Sequence, residues 1–464
     1  MPSHDRLEEL LATWLPRQRW FAGKGREITE VSFVADARLV AGDPGLRHAI
    51  VSVRQGPPGN PDAEHYYYQL LLGFRHELPG RLEYASIGLV DGMHIYDAAH
   101  DPDLTRSLLT GMAEGADVAA LRFRTVPGQR IDTDLTSLAS PAEQSNTSLV
   151  YGDAYICKLF RRLTPGVNPD LEISLALSRS GSKHIPELYG WIETVLDGES
   201  TTLAMLSEYL RTATDGWRLA TTSVRDLYAE ADLHAYEVGG DFAGEAERLG
   251  AATATVHREL AEAFGVTSIS AADVHAMAGR MLTRLDEARA AIPDLNPYVD
   301  RIAAAFDDLG KHDGPLAVQR IHGDYHLGQV MRTEVGWVLL DFEGEPARPL
   351  AARRAPAHPL RDVAGMLRSF EYAVRYLLTG PAAALFADDP AHDQREYRSH
   401  EWADRNRDAF CAGYTDAGGP DPYAHDVLLR AFEFDKAVYE VMYEARNRPS
   451  WLHVPLGSLA RLTG

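Results

Sequence analysis

The stretch formed by residues 320–343 concentrates the side chains that could carry out chemistry. It contains the sequence His-Gly-Asp-x-His-x-x-Gln, which places Asp324 and Gln329, and it ends in an apolar run followed by Asp341 and Glu343. Carboxylate oxygens and an amide carbonyl are hard ligands of the kind that Mg2+ prefers. A further carboxylate beside such a metal can accept the proton of an attacking hydroxyl. The pattern predicts metal-assisted phosphoryl transfer.

The elements that position these side chains can be predicted from the same stretch. Residues 337–340 form a continuous apolar run, which is typical of a buried strand. In an extended chain, two acids at a spacing of two point to the same side, so we expect Asp341 and Glu343 to face one metal. Asp324 precedes them in a polar loop that also contains His326. The alternative is that Asp324 and Asp341 merely cap turns and end a strand.

Length and composition limit the function classes. The chain has 464 residues, of which 45% are hydrophobic and 24% charged, as in an ordinary globular protein of two or three domains. Its net charge of −21 argues against binding of nucleic acid or of an anionic membrane. Cys157 and Cys411 lie far apart and form no metal-binding spacing. With no evident export signal and no long apolar run, we expect a cytoplasmic protein.

A second group of candidates lies on a predicted β-hairpin. Two runs of alternating polarity flank a Gly-Asp turn at residues 152–153, and the segment before the first run contains four small polar residues expected at its tip. These are Ser145, Asn146, Thr147 and Ser148. On the second strand Lys158 shares a face with apolar neighbours, which requires an anionic partner. A nucleotide phosphate or a structural salt bridge fits this requirement equally well.

The next predicted helix begins near Asn168, with a proline and acids in its first turn. Glu172 in that turn could form an ion pair with Lys158, an arrangement that kinase-type chemistry uses to hold a lysine on the α- and β-phosphates. Further on, an apolar strand at residues 203–206 enters a polar connector. In a two-lobed kinase this connector would be the hinge, where backbone groups of Glu208, Tyr209 and Leu210 could bind the adenine edge.

The second half of the chain is predicted to be mainly helical. Helix starts are expected at residues 222–226 and near residues 241–245. His257 falls on an apolar helical stripe, which favours a hydrogen-bonded core histidine over a catalytic one. Asp362 is predicted as a helix N-cap that could also brace the loop carrying Asp324. Two long helices are expected at residues 395–414 and 425–446.

Several longer motifs resemble the actinobacterial maltokinases, which are ATP-dependent enzymes of the aminoglycoside phosphotransferase and protein-kinase-like superfamily. The matching segments are spread over the whole chain, at residues 14–23, 143–148, 226–230, 237–245, 322–324, 341–346, 435–440 and 448–451. Two kinase signatures are absent from the sequence. The Gly-rich phosphate loop is replaced by the small polar residues 145–148, and the His-Arg-Asp signature is replaced by His-Gly-Asp.

The resemblance implies an α+β, bilobal protein-kinase-like fold with an additional N-terminal α/β cap. We expect the cap at residues 1–90, a nucleotide-binding N-lobe with an antiparallel sheet and a helix at 91–210, and a helical C-lobe at 211–464. It also implies ATP and Mg2+ as cofactors. Asp324 would be the catalytic base, and Gln329, Asp341 and Glu343 would be the magnesium ligands. Ser145 to Ser148, Lys158, Glu172 and the hinge residues would hold ATP.

The implied reaction converts maltose and ATP to maltose 1-phosphate and ADP, for α-glucan or glycogen synthesis. Sugar contacts are expected from His326 and from residues that share a helical face near the C-terminus or follow it. These are Lys436, Tyr439, Glu440, Arg448 and Trp451. Packing of the C-lobe would explain the same residues. We expect a monomer, with a maltose-producing enzyme as a possible partner.

Two alternative functions remain open from the sequence. A glucosamine kinase on the same scaffold would use acids such as Glu440 and Glu444 to bind the ammonium group of an aminosugar. A non-catalytic scaffold that kept the fold would have no physical reason to retain Lys158, Asp324, Gln329 and Asp341 together.

Overall fold

The computed structural model describes residues 3–56, 64–140, 145–230, 232–345, 348–379 and 392–463. Glu143, Gln144 and Pro346 of the motifs above lie outside the described residues. The chain divides into two compact units, one formed by residues 1–175 and 186–211 and the other by residues 176–185 and 212–464. The first is rich in strands and the second in helices, which confirms the α+β class. No helix among the described residues is long and apolar enough to span a membrane.

The first unit begins with a helix packed on an antiparallel sheet. Its elements are α1 (His4–Trp14), β1 (Ile28–Val40), β2 (Gly45–Gln55), β3 (Glu64–Arg75), β4 (Ser86–Val90) and β5 (Met93–Asp97). The strands follow the order β1-β2-β3-β5-β4. Leu7 and Leu11 are buried on one face of α1 because they lie four residues apart. Trp20 and Phe21 contact the ring of Tyr68 and are buried in the core.

The same unit continues with a helix and a second antiparallel sheet. The elements are α2 (Pro102–Glu114), β6 (Asp117–Val118), β7 (Leu121–Thr125), β8 (Ser137–Ala139), β9 (Thr147–Tyr151), β10 (Tyr155–Leu159), β11 (Arg162–Leu163), α3 (Pro169–Ser180), β12 (Leu188–Leu196) and β13 (Glu199–Glu208). The last turn of α3, from residue 176, already belongs to the second unit. The sheet has the order β6-β7-β12-β13-β10-β9-β8, while β11 pairs with β3 of the first sheet. The predicted hairpin is confirmed as β9 and β10, with Lys158 opposite Ser148. Thr147 and Ser148, however, belong to β9 rather than to a tip.

The second unit is predominantly helical, as predicted. Its elements are β14 (Thr214–Asp215), α4 (Gly216–Ala229), α5 (Ala243–Phe264), β15 (Val266–Ile269), α6 (Ala271–Ala291), α7 (Val299–Gly310), β16 (Leu316–Gln319), β17 (Val330–Arg332), β18 (Trp337–Leu339), α8 (Leu350–Arg354), α9 (Leu360–Thr379), α10 (His392–Asp416), α11 (Asp426–Asn447) and α12 (His453–Thr463). Strands β14, β17 and β18 form one small sheet, and β15 pairs with β16.

Two predicted helix starts are wrong in detail. Helix α4 begins at Gly216, six residues before the predicted start at Thr222, because Asp215 caps it by accepting a hydrogen bond from the N–H of Arg218 at 2.8 Å. Asp362 is not an N-cap, since α9 already begins at Leu360. The predicted helix start near residue 243 and the two long helices α10 and α11 are confirmed.

Helices α5 and α10 approach each other through two glycines. A Cβ atom on Gly250 would lie 2.1 Å from the carbonyl oxygen of Phe410, and one on Gly413 would lie 2.0 Å from that of Glu247. Only glycine permits such close backbone packing at these positions. The contact fixes α5, which carries His257, against α10.

Candidate active site

The loop that carries Asp324 is braced by Asp362 from α9. The carboxylate of Asp362 accepts hydrogen bonds from the N–H of His322 at 2.7 Å and from the N–H of Gly323 at 2.9 Å. Gly323 has a φ of 86°, a conformation that favours glycine, and this lets two successive N–H groups serve one carboxylate. The predicted bracing role of Asp362 is therefore confirmed, although its predicted capping role is not.

Asp362 is itself held by a buried polar chain. His257 lies 3.0 Å from Asp362 through Nε2 and 2.9 Å from the hydroxyl of Tyr414 through Nδ1, which confirms His257 as a hydrogen-bonded core histidine. Burial alone would raise the pKa of Asp362, but the bond to His257 and the backbone N–H of Gly323 lower it below its ordinary value. The brace thus remains an ionised acceptor at neutral pH.

Asp324 faces a lysine from the C-terminal region. The Nζ atom of Lys436, on α11, lies 3.0 Å from Oδ1 of Asp324. Burial would raise the pKa of Asp324, but the charge of Lys436 outweighs this effect and lowers the pKa below that of an ordinary aspartate. Asp324 is therefore ionised at neutral pH and able to accept a proton.

Lys436 has further anionic and aromatic neighbours. Its Nζ atom lies 3.5 Å from Oε1 of Glu345 and 4.9 Å from the centre of the Tyr439 ring. Burial would lower the pKa of Lys436, but Asp324 and Glu345 raise it above its ordinary value, so the amine stays charged. Burial also raises the pKa of Tyr439 to about 12, which keeps its phenol neutral and able to donate a hydrogen bond.

The two histidines of the loop have different surroundings. His322 is buried and bonds through Nε2 to the carbonyl oxygen of Leu340 at 2.8 Å, directly before Asp341. His326 accepts a hydrogen bond from the N–H of Gly328 on Nδ1 at 3.1 Å. Burial lowers the pKa of His326, so the ring is neutral and leaves Nε2 as a donor.

The predicted magnesium ligands lie at the end of the β17–β18 hairpin. The side-chain nitrogen of Gln329 donates to Oδ2 of Asp341 at 3.2 Å, and the carboxylate oxygens of Asp341 and Glu343 lie within 4.8 Å of each other. The two acids do not lie on an extended chain as predicted, because Asp341 adopts a φ of 61° and the chain turns after it. The turn nevertheless brings both carboxylates together, and this set of hard oxygen donors suits Mg2+.

Three of the predicted sugar-binding residues lie in or near a cluster of ion pairs. Arg368 of α9 is fully buried and donates to Glu440 of α11 at 2.6 Å. Arg448 donates to Glu444 at 2.6 Å, and its guanidinium lies 4.6 Å from the centre of the Trp451 ring. The acids that an aminosugar kinase could use to bind an amine are therefore paired with arginines.

A cavity of about 190 Å³ lies beside Lys436 and Tyr439. Its wall includes Gly323 of the catalytic loop and a mixed set of charged side chains, namely Arg284, Glu345, Arg348, Arg361, Asp362 and Asp435. A cavity lined by charged side chains and an aromatic ring, with Lys436 in its wall, is suited to a polyhydroxylated ligand.

In the first unit, Lys158 lies 3.4 Å from Oδ2 of Asp170, at the start of α3. The predicted partner of Lys158 is Glu172, whereas Asp170, which stands in the same helix turn, was not predicted. The pairing of Glu172 with Lys158 stays a prediction. Asp170 is buried, and its carboxylate accepts a hydrogen bond from the ammonium group of Lys158.

The other predicted nucleotide-binding residues border the same hairpin. Thr147 and Ser148 are buried in β9, whereas Ser145 and Asn146 form the bend before it. In the hinge, the N–H groups of Glu208 and Tyr209 donate to the carbonyl oxygens of Glu187 and Ala154, both at 2.8 Å, and Leu210 follows them. The roles of these residues in binding ATP stay predictions.

Comparisons with known proteins decide the family. Residues 14–101 match the maltokinase N-terminal cap domain. A glucosamine kinase of Streptacidiphilus jiangxiensis is 30% identical over 332 residues, which cover 69% of this chain and 72% of the relative. A glucosamine kinase of Mycolicibacterium smegmatis is 29% identical over 333 residues, covering 69% of this chain and 78% of the relative. The chain belongs to the glucosamine kinase family.

Solved structures of this family agree with the fold. A glucosamine kinase in a second crystal form matches with a TM-score of 0.71 and 25% identity, over 98% of this chain and 99% of the other. A glucosamine kinase in complex with glucosamine, ADP and inorganic phosphate matches with a TM-score of 0.69 and 24% identity over the same shares. The predicted maltokinase-like, kinase-type fold with a cap is confirmed. As a member of the family, the chain is an ATP-dependent phosphotransferase with an alcohol acceptor.

Proposed function

We propose that the protein transfers the γ-phosphoryl group of ATP directly to a sugar hydroxyl, with Asp324 as the base. The observation that carries this proposal is the position of the Asp324 carboxylate, held on a loop braced by Asp362 and facing Lys436. Asp324 orients the hydroxyl and takes its proton as the oxygen attacks phosphorus in line with the departing ADP oxygen. Positioning of this kind supplies most of the catalysis in phosphoryl transfer.

Mg2+ is the metal for which the acidic hairpin end is suited. Gln329, Asp341 and Glu343 would hold it, with the amide carbonyl and the carboxylates as oxygen ligands. A bound Mg2+ supplies positive charge that neutralises the phosphate oxygens as charge develops on them. On the nucleotide side, Lys158 would neutralise the α- and β-phosphates while Asp170 orients its ammonium group. Ser145 and Asn146 would cover the phosphates.

For the acceptor we propose maltose, with maltose 1-phosphate as the product for α-glucan synthesis. The match of residues 14–101 to the maltokinase cap supports this choice. The pairing of Glu440 and Glu444 with arginines supports it as well, because paired carboxylates have less need of a ligand ammonium. Tyr439 and Lys436 would then donate to sugar hydroxyls.

Glucosamine is the second candidate. The two relatives described above are glucosamine kinases, and the cavity beside Lys436 is lined by the acids Glu345 and Asp435. Either carboxylate could accept a hydrogen bond from the ammonium group of an aminosugar. Both acids are also near arginines, since Asp435 pairs with Arg284 and Glu345 with Arg348.

Product identification tests the proposal. The protein is incubated with ATP and Mg2+ and with maltose, glucose or glucosamine separately, and the products are analysed by phosphorus and proton NMR. The expected result is a phosphate on C1 of maltose, formed by the wild-type protein and not by an Asp324→Asn control. If glucosamine is phosphorylated and maltose is not, maltose is wrong as the acceptor and glucosamine takes its place. The proposed roles of the phosphotransfer residues would be unaffected. Hydrolysis of ATP without any phosphosugar would contradict both acceptors.

A further inference from the structure

Arg161 joins the cap domain to the β9–β10 hairpin, which carries the proposed nucleotide-binding residue Lys158. Its side chain is 1% exposed. Nη2 donates to Oδ2 of Asp97 at 2.6 Å, and Nε donates to Oγ1 of Thr147 at 2.8 Å. Asp97 belongs to the segment that matches the maltokinase cap, and Thr147 is the first residue of β9. One guanidinium therefore spans from the cap to the start of the strand that follows Ser145 and Asn146.

The surroundings of Arg161 add further bonds between the same two regions. Its carbonyl oxygen accepts a hydrogen bond from the N–H of Gln69 on β3 at 2.9 Å. The side-chain nitrogen of Gln69 donates to the carbonyl oxygen of Phe160 at 3.0 Å, and its oxygen is 2.8 Å from Nε2 of His48. Burial lowers the pKa of His48 to about 4, so this ring is neutral. His48 therefore adds no second positive charge near the Arg161–Asp97 pair.

The position of Arg161 along the chain relates it to Lys158. Arg161 follows Lys158 by three residues, and its partner Thr147 lies opposite Leu159 in the hairpin register. The Arg161 guanidinium lies 5.0 Å from the centre of the Trp20 ring, which covers it from the cap side. Any shift of the guanidinium would move the start of β9 and the end of β10 together.

We propose that Arg161 is a positioning residue for the nucleotide and that Asp97 of the cap holds it in place. The cap thereby sets the affinity for ATP without contacting it. Burial of a guanidinium is unfavourable unless its charge is paired and its N–H groups are bonded. When Asp97 loses its charge, no ion pair holds the Arg161 guanidinium between the cap and the hairpin. The hydroxyl of Thr147 then loses its hydrogen-bond donor. This inference rests on the proposed nucleotide roles of Ser145, Asn146 and Lys158.

The test compares two substitutions in the full-length protein. Asp97→Asn keeps the size of the side chain and removes its charge, and we expect the KM for ATP to rise about tenfold or more, in the range found for residues that orient a ligand-binding group. The KM for the sugar should stay unchanged. Asp101→Asn is the matched control, because Asp101 is an equally buried cap acid whose partners are Arg75 and Tyr96. It should lower the melting temperature without changing the KM for ATP.

The outcomes separate this inference from the proposed function. If Lys158→Ala leaves the KM for ATP unchanged, the proposed nucleotide site is wrong. If Lys158→Ala raises that KM while Asp97→Asn and Asp101→Asn both lower only the melting temperature, the Arg161 pair is structural and the inference is overturned. Should Asp97→Asn fail to fold, Arg161→Lys gives the same readout. It keeps the charge, but one ammonium cannot reproduce the two directed bonds of the guanidinium.

Discussion

The Nζ atom of Lys436 lies 3.0 Å from Oδ1 of Asp324, so the proposed base carries its own counter-charge. A neighbouring cation makes a carboxylate a weaker base but keeps it ionised despite burial. Phosphoryl transfer tolerates this, because its transition state is loose and depends more on orientation of the hydroxyl than on early removal of the proton. The Asp324–Lys436 pair thus favours a proton acceptor that is ionised and fixed in position over one that is strongly basic.

Removal of the Lys436 charge should therefore change the pH dependence. In Lys436→Met the burial of Asp324 is no longer offset by the ammonium, so the pKa of Asp324 rises from its lowered position. Since the ionised carboxylate is the active form, the acid limb of the kcat profile should move to higher pH. Lys311→Met, which removes an exposed lysine paired with Asp308, is the control and should leave the profile in place. An unmoved acid limb in Lys436→Met would show that another group controls it.

Substitution of the base itself should lower the rate more than the binding. Asp324→Asn keeps the shape and loses the proton acceptor, and we expect kcat to fall roughly 10²–10⁴-fold. The KM for ATP should change little, because the proposed nucleotide residues lie elsewhere in the chain. Steady-state kinetics at saturating sugar measure both values. A kcat within a few-fold of the wild-type value would remove Asp324 from the role of base.

The brace beneath this loop should matter to catalysis although it touches no substrate. Asp362→Ala deprives the N–H groups of His322 and Gly323 of their acceptor. A displacement of the loop by about 1 Å can cost on the order of 10²-fold in rate. We expect that loss in kcat, measured at a temperature where circular dichroism shows the variant still folded. Thr253→Val, which removes the hydroxyl that bonds to the carbonyl oxygen of Leu249 and to the hydroxyl of Tyr325, should have a smaller effect.

Whether a contact of this site can be predicted from the sequence depends on how far apart its two residues lie along the chain. The buried strand before Asp341 and the β9–β10 hairpin are local patterns, and both were predicted correctly. Asp170 and Glu172 stand in one helix turn, and only the angle between α3 and β10 decides which acid faces Lys158. The contacts of Asp324 with Lys436 and of Arg161 with Asp97 bridge 112 and 64 residues. No spacing rule reaches across such separations without a known fold.

The metal site leads to a prediction about magnesium concentration. If Asp341 is a ligand, Asp341→Asn replaces a charged oxygen by a neutral amide, and the Mg2+ concentration for half-maximal rate should rise roughly 10–100-fold. Titration of Mg2+ at fixed ATP measures this, with chelation by EDTA abolishing the wild-type activity. Asp308→Asn, on the exposed face of α7, serves as the control. An unchanged Mg2+ requirement in Asp341→Asn would exclude it as a ligand.

Substitutions in the Arg368–Glu440 pair can show whether Glu440 has a structural role or a sugar-binding role. Arg368 is fully buried, so Arg368→Met leaves the Glu440 carboxylate without its partner and should lower the free energy of unfolding by about 3–5 kcal/mol. The control Arg430→Met breaks an exposed pair with Asp426 on α11 and should cost only about 0.3–0.5 kcal/mol. Urea unfolding followed by circular dichroism measures both.

Glu440→Gln completes this test. If Glu440 serves mainly to neutralise Arg368, the variant is destabilised while the KM for the sugar is unchanged, and the amine-binding role is left to Glu345 or Asp435. A raised KM for the sugar with little loss of stability would instead assign Glu440 to the acceptor. The second result would contradict the reading that its pairing with Arg368 makes the site less suited to an ammonium group, and it would strengthen glucosamine against maltose.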